Sequence, residues 1–385
     1  MARIYVDARC MTDEPCGVGR YALGLIPALA AQAPGHEFVV LRHVSNRAPT
    51  SVAPNVRDVF LQRTDNNIGH VLFGRGAIRA SFEAHGEPDL YHALFHLLPL
   101  GFPGSEPLRP RIVTTVHDFI WLDHPTRLAS RVQGLAIWCY ARVALPRTIR
   151  VSDWVITVSQ AAAERIAQSV VRDRVEVIHH GVDPIFYETP PEPSDELAPL
   201  VAGGVPLVVA VANAKRYKNL SLLIRAFAIA VGGGLRARLV LVGNCRALAD
   251  EVAKSGITAH TSMPGFVSDA DLRALVGRAT LFVHPSLAEG FGLPPLEAMA
   301  LGTPTAVSSI AALREVVGDA ALIFDPHDAD GLAALVRRVI NDADLRRDLG
   351  ARGRQRARSF TWAEAARKTL GVYEQALASG TSTSL

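Results

Sequence analysis

Two glutamates, Glu289 and Glu297, stand eight residues apart around Gly290-Phe291-Gly292-Leu293-Pro294-Pro295. The apolar run ATLFVHP (279–285) precedes them and LEAMAL follows. Proline suits the first turn of a helix, where its missing N–H costs nothing, so the stretch reads as strand, tight turn, helix. Gly290 and Gly292 let the backbone approach a ligand closely. The free N–H groups at the helix start favour an anion such as phosphate. A carboxylate one turn into the helix repels that phosphate, which matches Glu297 to a ligand hydroxyl. Glu289, before the turn, is placed to reach another hydroxyl. Hydroxyls on both sides of a phosphate describe a nucleotide sugar. The alternative is a plain strand–turn–helix junction whose glutamates cap it or face solvent, and these residues alone leave both readings open.

Lys218 precedes a helical run in VANAKRYKNLSLLIRAFA (211–228). The helix dipole disfavours a cation there. A diphosphate leaving group, however, gains charge as a glycosidic bond breaks, and a fixed cation stabilises that transition state. A solvated lysine is the alternative. His117 and Asp118 follow RIVTTV, at the carboxyl end of an expected strand, where ligands of α/β sheets lie. A hydrogen-bonded structural histidine is the competing reading, and Asp118 is the weaker candidate. The triplets Asp-Ala-Asp at 269–271, 328–330 and 342–344 each precede an apolar helical run and read as helix caps rather than metal ligands.

The elements that must position these groups alternate between two periods. Strand-like runs at 3–8, 36–42, 89–93, 111–118, 153–159 and 174–181 are separated by helical stretches such as 19–32. This predicts a parallel sheet covered on both faces. The Pro-rich ETPPEPSDELAPLVAGG (188–204) reads as a linker. The pattern then restarts at 206–213, with a helix near 219–231 and strands at 238–244, 279–285, 303–309 and 320–325. A final helix opens at Thr361, where Thr361 and Glu364 form a capping-box pattern. The expected organisation is an N-terminal α/β domain over 1–187, the linker, a C-terminal α/β domain over 205–360, and a last helix at 361–385 that rejoins the first domain. Both domains are expected to be doubly wound, with a cleft between them.

The 385 residues are 49% hydrophobic and 20% charged, as in a soluble enzyme with sizeable cores. A net charge of +3 is too small to argue for nucleic acid. Four scattered cysteines (Cys10, Cys16, Cys139, Cys245) lack metal-ligand spacing and read as reduced and intracellular. The N-terminus lacks the apolar region of a signal peptide, and no run is long enough to span a bilayer. The segment 127–150 carries five arginines and no acid. It is either a domain helix with snorkelling arginines or a surface that docks on anionic lipid. FHLLPLGFP (95–103) is a candidate acceptor loop or simply core. GVGRYA (17–22) also fits a dinucleotide fingerprint, but nine residues, Arg9 to Gly17, separate the first strand from the second part of the motif, too many for that tight turn.

E-G-F-G-L-P-P-L-E (289–297) resembles the E-x7-E motif of retaining glycosyltransferases of family 4, which have the GT-B fold. VANAKRYKNLSLLIRAFA is similar to the donor-phosphate segment of that family, with Lys218 at its lysine. LVLVGN, PGFVSDADL and LREVVGDAALIFDP (313–326) also fit, as do GVGRYA as the glycine loop after the first strand, VHDF (116–119) and VITVS…VIHHGVDP. The resemblance covers nearly the whole chain. Many relatives carry an arginine before the lysine; here Asn213 stands near that place, and Arg216 is a candidate for the second charge.

The resemblance implies two Rossmann-like domains and transfer of a hexose, with retention, from a nucleoside-diphosphate sugar to a hydroxyl of a glycan or lipid-linked acceptor. It assigns Lys218 to the diphosphate, Glu297 to the ribose and Glu289 to the sugar. The Gly290, Phe291, Gly292 and Leu293 backbone contacts phosphate and sugar. Gly265, Phe266 and Val267 lie by the base. Asn213, Gly17 and Gly19 belong to the donor-binding set, and His117 contacts the sugar near the reacting carbon. No cofactor and no metal is expected. GVGRY, VHDFIW and VAN…KN look most like bacterial mannosyltransferases of polysaccharide assembly, which favours GDP-mannose over a UDP-sugar as donor. A cytoplasmic protein, or one peripheral at the inner membrane face, is expected. Rival readings are a nucleotide-sugar epimerase of the same build, an NAD-dependent oxidoreductase and a non-catalytic carbohydrate-binding protein.

Overall fold

The computed structural model describes residues 1–9, 11, 17–43, 50–61, 67–99, 101–102, 109–123, 131–169 and 174–379. Cys10, Cys16, Leu100, Pro103 and Arg127 lie outside them. Two compact units result. Described residues within 1–123, 135–181 and 360–385 form one, and those within 124–134 and 182–359 form the other.

The first unit is a seven-stranded parallel sheet of β1 (Arg3–Asp7), β2 (Glu37–His43), β3 (Val56–Leu61), β4 (Leu90–Ala93), β5 (Arg111–Val116), β6 (Trp154–Thr157) and β7 (Val175–Val177). Their order is β3-β2-β1-β4-β5-β6-β7. Alternation along β1 sends Ile4 and Val6 to one face, against Leu25, Ile26 and Tyr373, and Tyr5 to the other, against Ile78 and Phe82. Leu97, Leu98 and Phe102 of the 95–103 segment are buried, so that stretch contributes to the core.

GVGRYA is not a loop. Gly17 to Ala22 open the helix Gly17–Gln32. Helix Arg131–Val151 carries part of the basic segment. Its Arg147 turns inward and donates to the carbonyls of Pro99 and Phe102 at 3.1 and 2.9 Å. Arg142 is exposed and lies over the Trp138 ring at 4.6 Å.

The C-terminal helix Trp362–Ala378 belongs to the first unit. Thr361 caps it, accepting from the Glu364 N–H at 3.1 Å, while the Glu364 carboxylate pairs with Arg367. Gly24 and Gly181 let it settle. A Cβ on Gly24 would stand 2.0 Å from Trp362 Cε2, and one on Gly181 would stand 2.1 Å from the Trp362 backbone nitrogen.

The second unit is a six-stranded parallel sheet of β8 (Leu207–Val211), β9 (Arg238–Val242), β10 (Thr261–Gly265), β11 (Leu281–His284), β12 (Thr305–Ser308) and β13 (Leu322–Phe324), in the order β10-β9-β8-β11-β12-β13. Val208, Ala210, Leu239, Leu241, Leu281 and Val283 share one face with Leu223 and Phe227 of helix Leu220–Gly232 and with Leu332 and Val336 of helix Ala329–Asn341. The 188–204 stretch is held on this unit. Arg273 and Arg278 donate to the carbonyls of Thr189 and Pro191, and the Ser194 N–H bonds Asp271 at 2.8 Å.

All three Asp-Ala-Asp triplets stand at helix starts. Ser268 accepts from the Asp271 N–H, Asp328 from the Gly331 N–H and Asp342 from the Leu345 N–H. Among the described residues no helix is long and apolar enough to cross a membrane.

Candidate active site

In the second sheet the chain steps from β8 outward to β9 and β10, then returns to place β11 on the other side of β8. Loops leaving β8 and β11 therefore part in opposite directions and open a crevice at their carboxyl ends, where such sheets bind ligands. The loop after β8 carries Asn213 and, in a short turn at Arg216–Lys218, Lys218. The loop after β11 carries Glu289 and the glycine turn. Lys218 Nζ lies 2.7 Å from Glu289 Oε1. The Leu287 N–H donates to the Tyr217 carbonyl at 2.7 Å and ties the loops together.

His284, the last residue of β11, brings its Nε2 to 2.7 Å from the same Glu289 Oε1. An ionised carboxylate only accepts, so His284 Nε2 carries the proton. Ser286 Oγ lies 3.2 Å from that nitrogen, and Ser308 Oγ donates to the Ser286 carbonyl. Burial pushes the Glu289 carboxyl up. The Lys218 charge, followed by the charge and hydrogen bond of His284, outweighs this and holds it far below the usual carboxylate range. The sequence reading gave Lys218 and Glu289 separate ligand partners; the fold also joins them to each other.

Asn219 positions the lysine. It has φ 54°, the only positive φ outside glycine among the described residues. Its Nδ2 donates to the carbonyls of Pro285 and Pro326 at 3.0 and 2.9 Å, pinning the loops after β11 and β13. An amide at this position does what a glycine's freedom alone cannot.

The glycine turn is anchored by buried Phe291 and Leu293, with Gly290 half-buried between the turn and Glu289. Gly292 has φ 112°, and a Cβ there would meet Leu313 Cδ2 at 2.5 Å. It caps the helix Leu293–Ala300, on which Glu297 is buried at 8% exposure. On the same carboxyl edge, Asn213 Oδ1 accepts from the Lys215 N–H at 3.3 Å. The Gly265 carbonyl accepts from the Gly243 N–H at 2.8 Å. Phe266 is 61% exposed, with Val267 half-buried after it, so an apolar ring stands free at the edge. Arg216 is exposed.

In the first unit His117 follows β5. Its Nε2 lies 2.8 Å from the Leu94 carbonyl, so Nε2–H donates and Nδ1 is the acceptor nitrogen. Burial pushes its pKa down to about 4, only partly opposed by the Leu94 bond, so the ring is neutral at pH 7. Tyr21 packs edge-on to it with centroids 4.8 Å apart, and His180 lies at 5.5 Å. Trp362 stacks on His180 at 5.9 Å. Gly19 is buried in the first turn of helix Gly17–Gln32, and Gly17 is exposed at its start. Asp118 accepts from the Ile120 N–H at 2.9 Å and so closes a local turn.

Sequence reasoning missed His284, Ser286, Asn219 and the Tyr21–His180 partners of His117. The available signals were a polar residue ending the apolar run 279–284 and an asparagine directly before a helix.

Residues 15–186 match the model of glycosyltransferase family 4, and residues 197–356 match that of the glycosyl transferases group 1. The MMP alpha-(1->4)-mannosyltransferase of Mycolicibacterium hassiacum is 32% identical over 326 residues, 80% of this chain and 73% of that protein. The O-antigen chain mannosyltransferase B of Escherichia coli is 43% identical over 110 residues, 29% of each chain. Among solved structures, sucrose-phosphate synthase from Thermosynechococcus elongatus superposes with a TM-score of 0.79 at 22% identity, over 98% of this chain and 100% of that one. Anabaena Alr3699/HepE in complex with UDP-glucose gives 0.71 at 18%, over 97% and 100%. The fold is GT-B. Built on two parallel-sheet units, with its lysine and E-x7-E glutamates gathered at the switch point of the second, the chain belongs to the family 4 glycosyltransferases.

Proposed function

We propose that the protein transfers a hexose from a nucleoside-diphosphate sugar to a hydroxyl of a glycan or lipid-linked acceptor, retaining anomeric configuration. The observation that carries this reading is the Lys218–Glu289 pair, 2.7 Å apart at the switch point of the second sheet and beside a glycine-opened helix start. In this reading Lys218 and the main-chain N–H groups of the turn from Gly290 to Leu293 bind the diphosphate and stabilise its growing charge as it leaves. Glu297 accepts from the ribose, Glu289 from a sugar hydroxyl, and the base packs on Phe266. Gly290 and Gly292 leave room for phosphate. His117, neutral and with Nδ1 as acceptor, takes a hydroxyl of the sugar. The phosphate leaving group collects the acceptor's proton on the face it vacates, so the bond to the acceptor forms where the bond to phosphate broke. The charge is met by Lys218 and main-chain N–H groups, so no metal is required.

The two relatives named as mannosyltransferases favour GDP-mannose, while the UDP-glucose in the Anabaena structure keeps a UDP-sugar as the competing donor. The exposed Arg142, lying over the half-buried Trp138 ring, is the feature of helix Arg131–Val151 that suits a peripheral contact at the inner membrane face; Arg147 is taken up by main-chain carbonyls.

Thermal shift against GDP-mannose, UDP-glucose, ADP-glucose and dTDP-glucose identifies the donor, since a ligand of the folded state raises stability by mass action. Release of free nucleoside diphosphate, with an α-linked product by NMR, supports transfer. Conversion of the donor to its epimer without nucleotide release would replace the proposal by an epimerase.

A further inference from the structure

His284 ends a central strand and is 1% exposed, yet it points a polar edge at a charged group. Its Nε2–H and the Lys218 ammonium share one carboxylate oxygen, Glu289 Oε1, each at 2.7 Å. Among the described residues no hydrogen bond reaches Oε2. The carboxylate is thus held by one oxygen from two directions, and its other oxygen is open to a ligand.

The two donors are unlike. Lysine is a point charge on a flexible four-carbon stem. A bound diphosphate carries more negative charge than one carboxylate and competes for that ammonium. If Lys218 were the only partner, ligand binding would leave Glu289, 11% exposed at its side chain, as a nearly unpaired buried anion. Such a group reorients or takes up a proton, because an uncompensated buried charge is costly. The imidazole cannot follow the ligand in this way. The next residue's carbonyl, that of Pro285, accepts from Asn219 at 3.0 Å, and the Ser286 carbonyl accepts from Ser308 at the end of β12. The Phe282 ring lies parallel to the imidazole, with centroids 6.4 Å apart.

We propose that His284 is a positioning residue for Glu289: its Nε2–H keeps Oε1 fixed while Lys218 turns to the diphosphate, so that Oε2 stays aimed at the sugar. The inference rests on the donor-site reading above and deepens it. It separates His284 from ligand binding itself, because among the described residues its side-chain hydrogen bonds go only to the Glu289 carboxylate and Ser286.

The test compares His284→Leu, His284→Gln, Glu289→Ala and the His284→Leu/Glu289→Ala double variant, with GDP-mannose as substrate and GDP as titrant. His284→Leu should lower kcat about 10-fold or more with GDP affinity within about twofold of the parent. His284→Gln, which keeps an N–H near the Nε2 position, should recover most of kcat. In the Glu289→Ala background the leucine change should alter kcat by less than about twofold, because its effect passes through the missing carboxylate. Equal loss in the leucine and glutamine variants, or an undiminished leucine effect without Glu289, overturns the proposal and makes His284 a packing residue. An activity-independent arm uses the ligand-free protein. Its imidazole ¹⁵N spectrum should show His284 in the Nε2–H form with a slowly exchanging proton, and the other tautomer would overturn the clamp. Failure of the underlying donor site looks different: Lys218→Ala would then bind GDP like the parent.

Discussion

Lys218 and Glu289, 71 positions apart in the chain, meet through Nζ and Oε1 at 2.7 Å. They stand on loops leaving β8 and β11, neighbouring strands whose connections diverge. Without a ligand, the lysine's charge is compensated by the carboxylate, so a diphosphate must draw it from an existing partner rather than from water.

If this pair marks the donor site, the charged groups carry measurable affinity. Hydrogen bonds to a charged group contribute roughly 1.5–3 kcal/mol, so Glu297→Ala and Lys218→Ala should each weaken nucleoside diphosphate binding about 10- to 200-fold by calorimetry. Gly292→Val should weaken it as well, since its Cβ position already abuts Leu313. Parent-like affinity in both charge variants would mean the turn is a structural junction.

The depressed pKa of Glu289 makes its stabilisation depend on pH. Its folded-state pKa lies far below the unfolded value near 4.3, so the contribution is fully present above about pH 4.3 and is lost as pH falls through the acid range. The melting temperature of the parent should exceed that of Glu289→Gln at pH 7, and the gap should narrow between about pH 4.3 and pH 3. A gap that stays constant over that range would contradict the ionised pair.

The first unit buries groups that stay neutral rather than charged, and it too loses stability on acidification. Burial lowers His92 to about 3, His96 and His117 to about 4, and His180 well below its ordinary value. Their unfolded pKa is near 6.5, so between about 6.5 and 4 the unfolded chain binds more protons and stability falls with falling pH. Urea unfolding at stepped pH should show this loss beginning near 6.5. His117→Ala should lower kcat more than it raises donor KM; unchanged kcat would leave His117 a purely structural group.

Asn219 combines a left-handed backbone with two amide hydrogen bonds. Asn219→Gly should keep the conformation and lose the bonds, at about 1–2 kcal/mol. Asn219→Ala adds roughly 1–2 kcal/mol of left-handed strain. Asn219→Asp, nearly isosteric, sets a carboxylate against two carbonyl oxygens and should fall below the glycine variant in Tm. If aspartate matched asparagine, the amide bonds would contribute nothing.

Gly24 and Gly181 admit Trp362. Gly24→Ala should cost about 1–3 kcal/mol, as overpacked positions do, and should cost less in a Trp362→Leu background. Gly181→Ala should cost more, because it meets the backbone nitrogen of Trp362 rather than a movable ring. Equal melting temperatures for all of these variants would refute the contact.

Local pattern was enough for the repeated strand–helix alternation, the Thr361 cap, and the strand–glycine turn–helix of 279–302, because each is written within one turn or one strand of chain. It failed at one edge of each sheet. The run TSMPG that forms β10 contains Pro264 and Gly265, which an edge strand tolerates and a central one does not. The mixed VRDVFL of β3, with its exposed residues, lies at the other sheet's edge. GVGRYA was misread because glycines suggest a loop, yet here they open the helix Gly17–Gln32. Motif residues were legible one at a time, whereas their pairing was not. That Lys218 rests on Glu289, that His284 takes the same oxygen and that Asn219 bridges Pro285 and Pro326 follow from the strand order, which brings loops about 70 and 100 residues apart to one sheet edge. The neutral state of His117 is likewise a product of tertiary burial, since the residues packed around it, Tyr21, Leu94 and His180, come from three other segments of the chain.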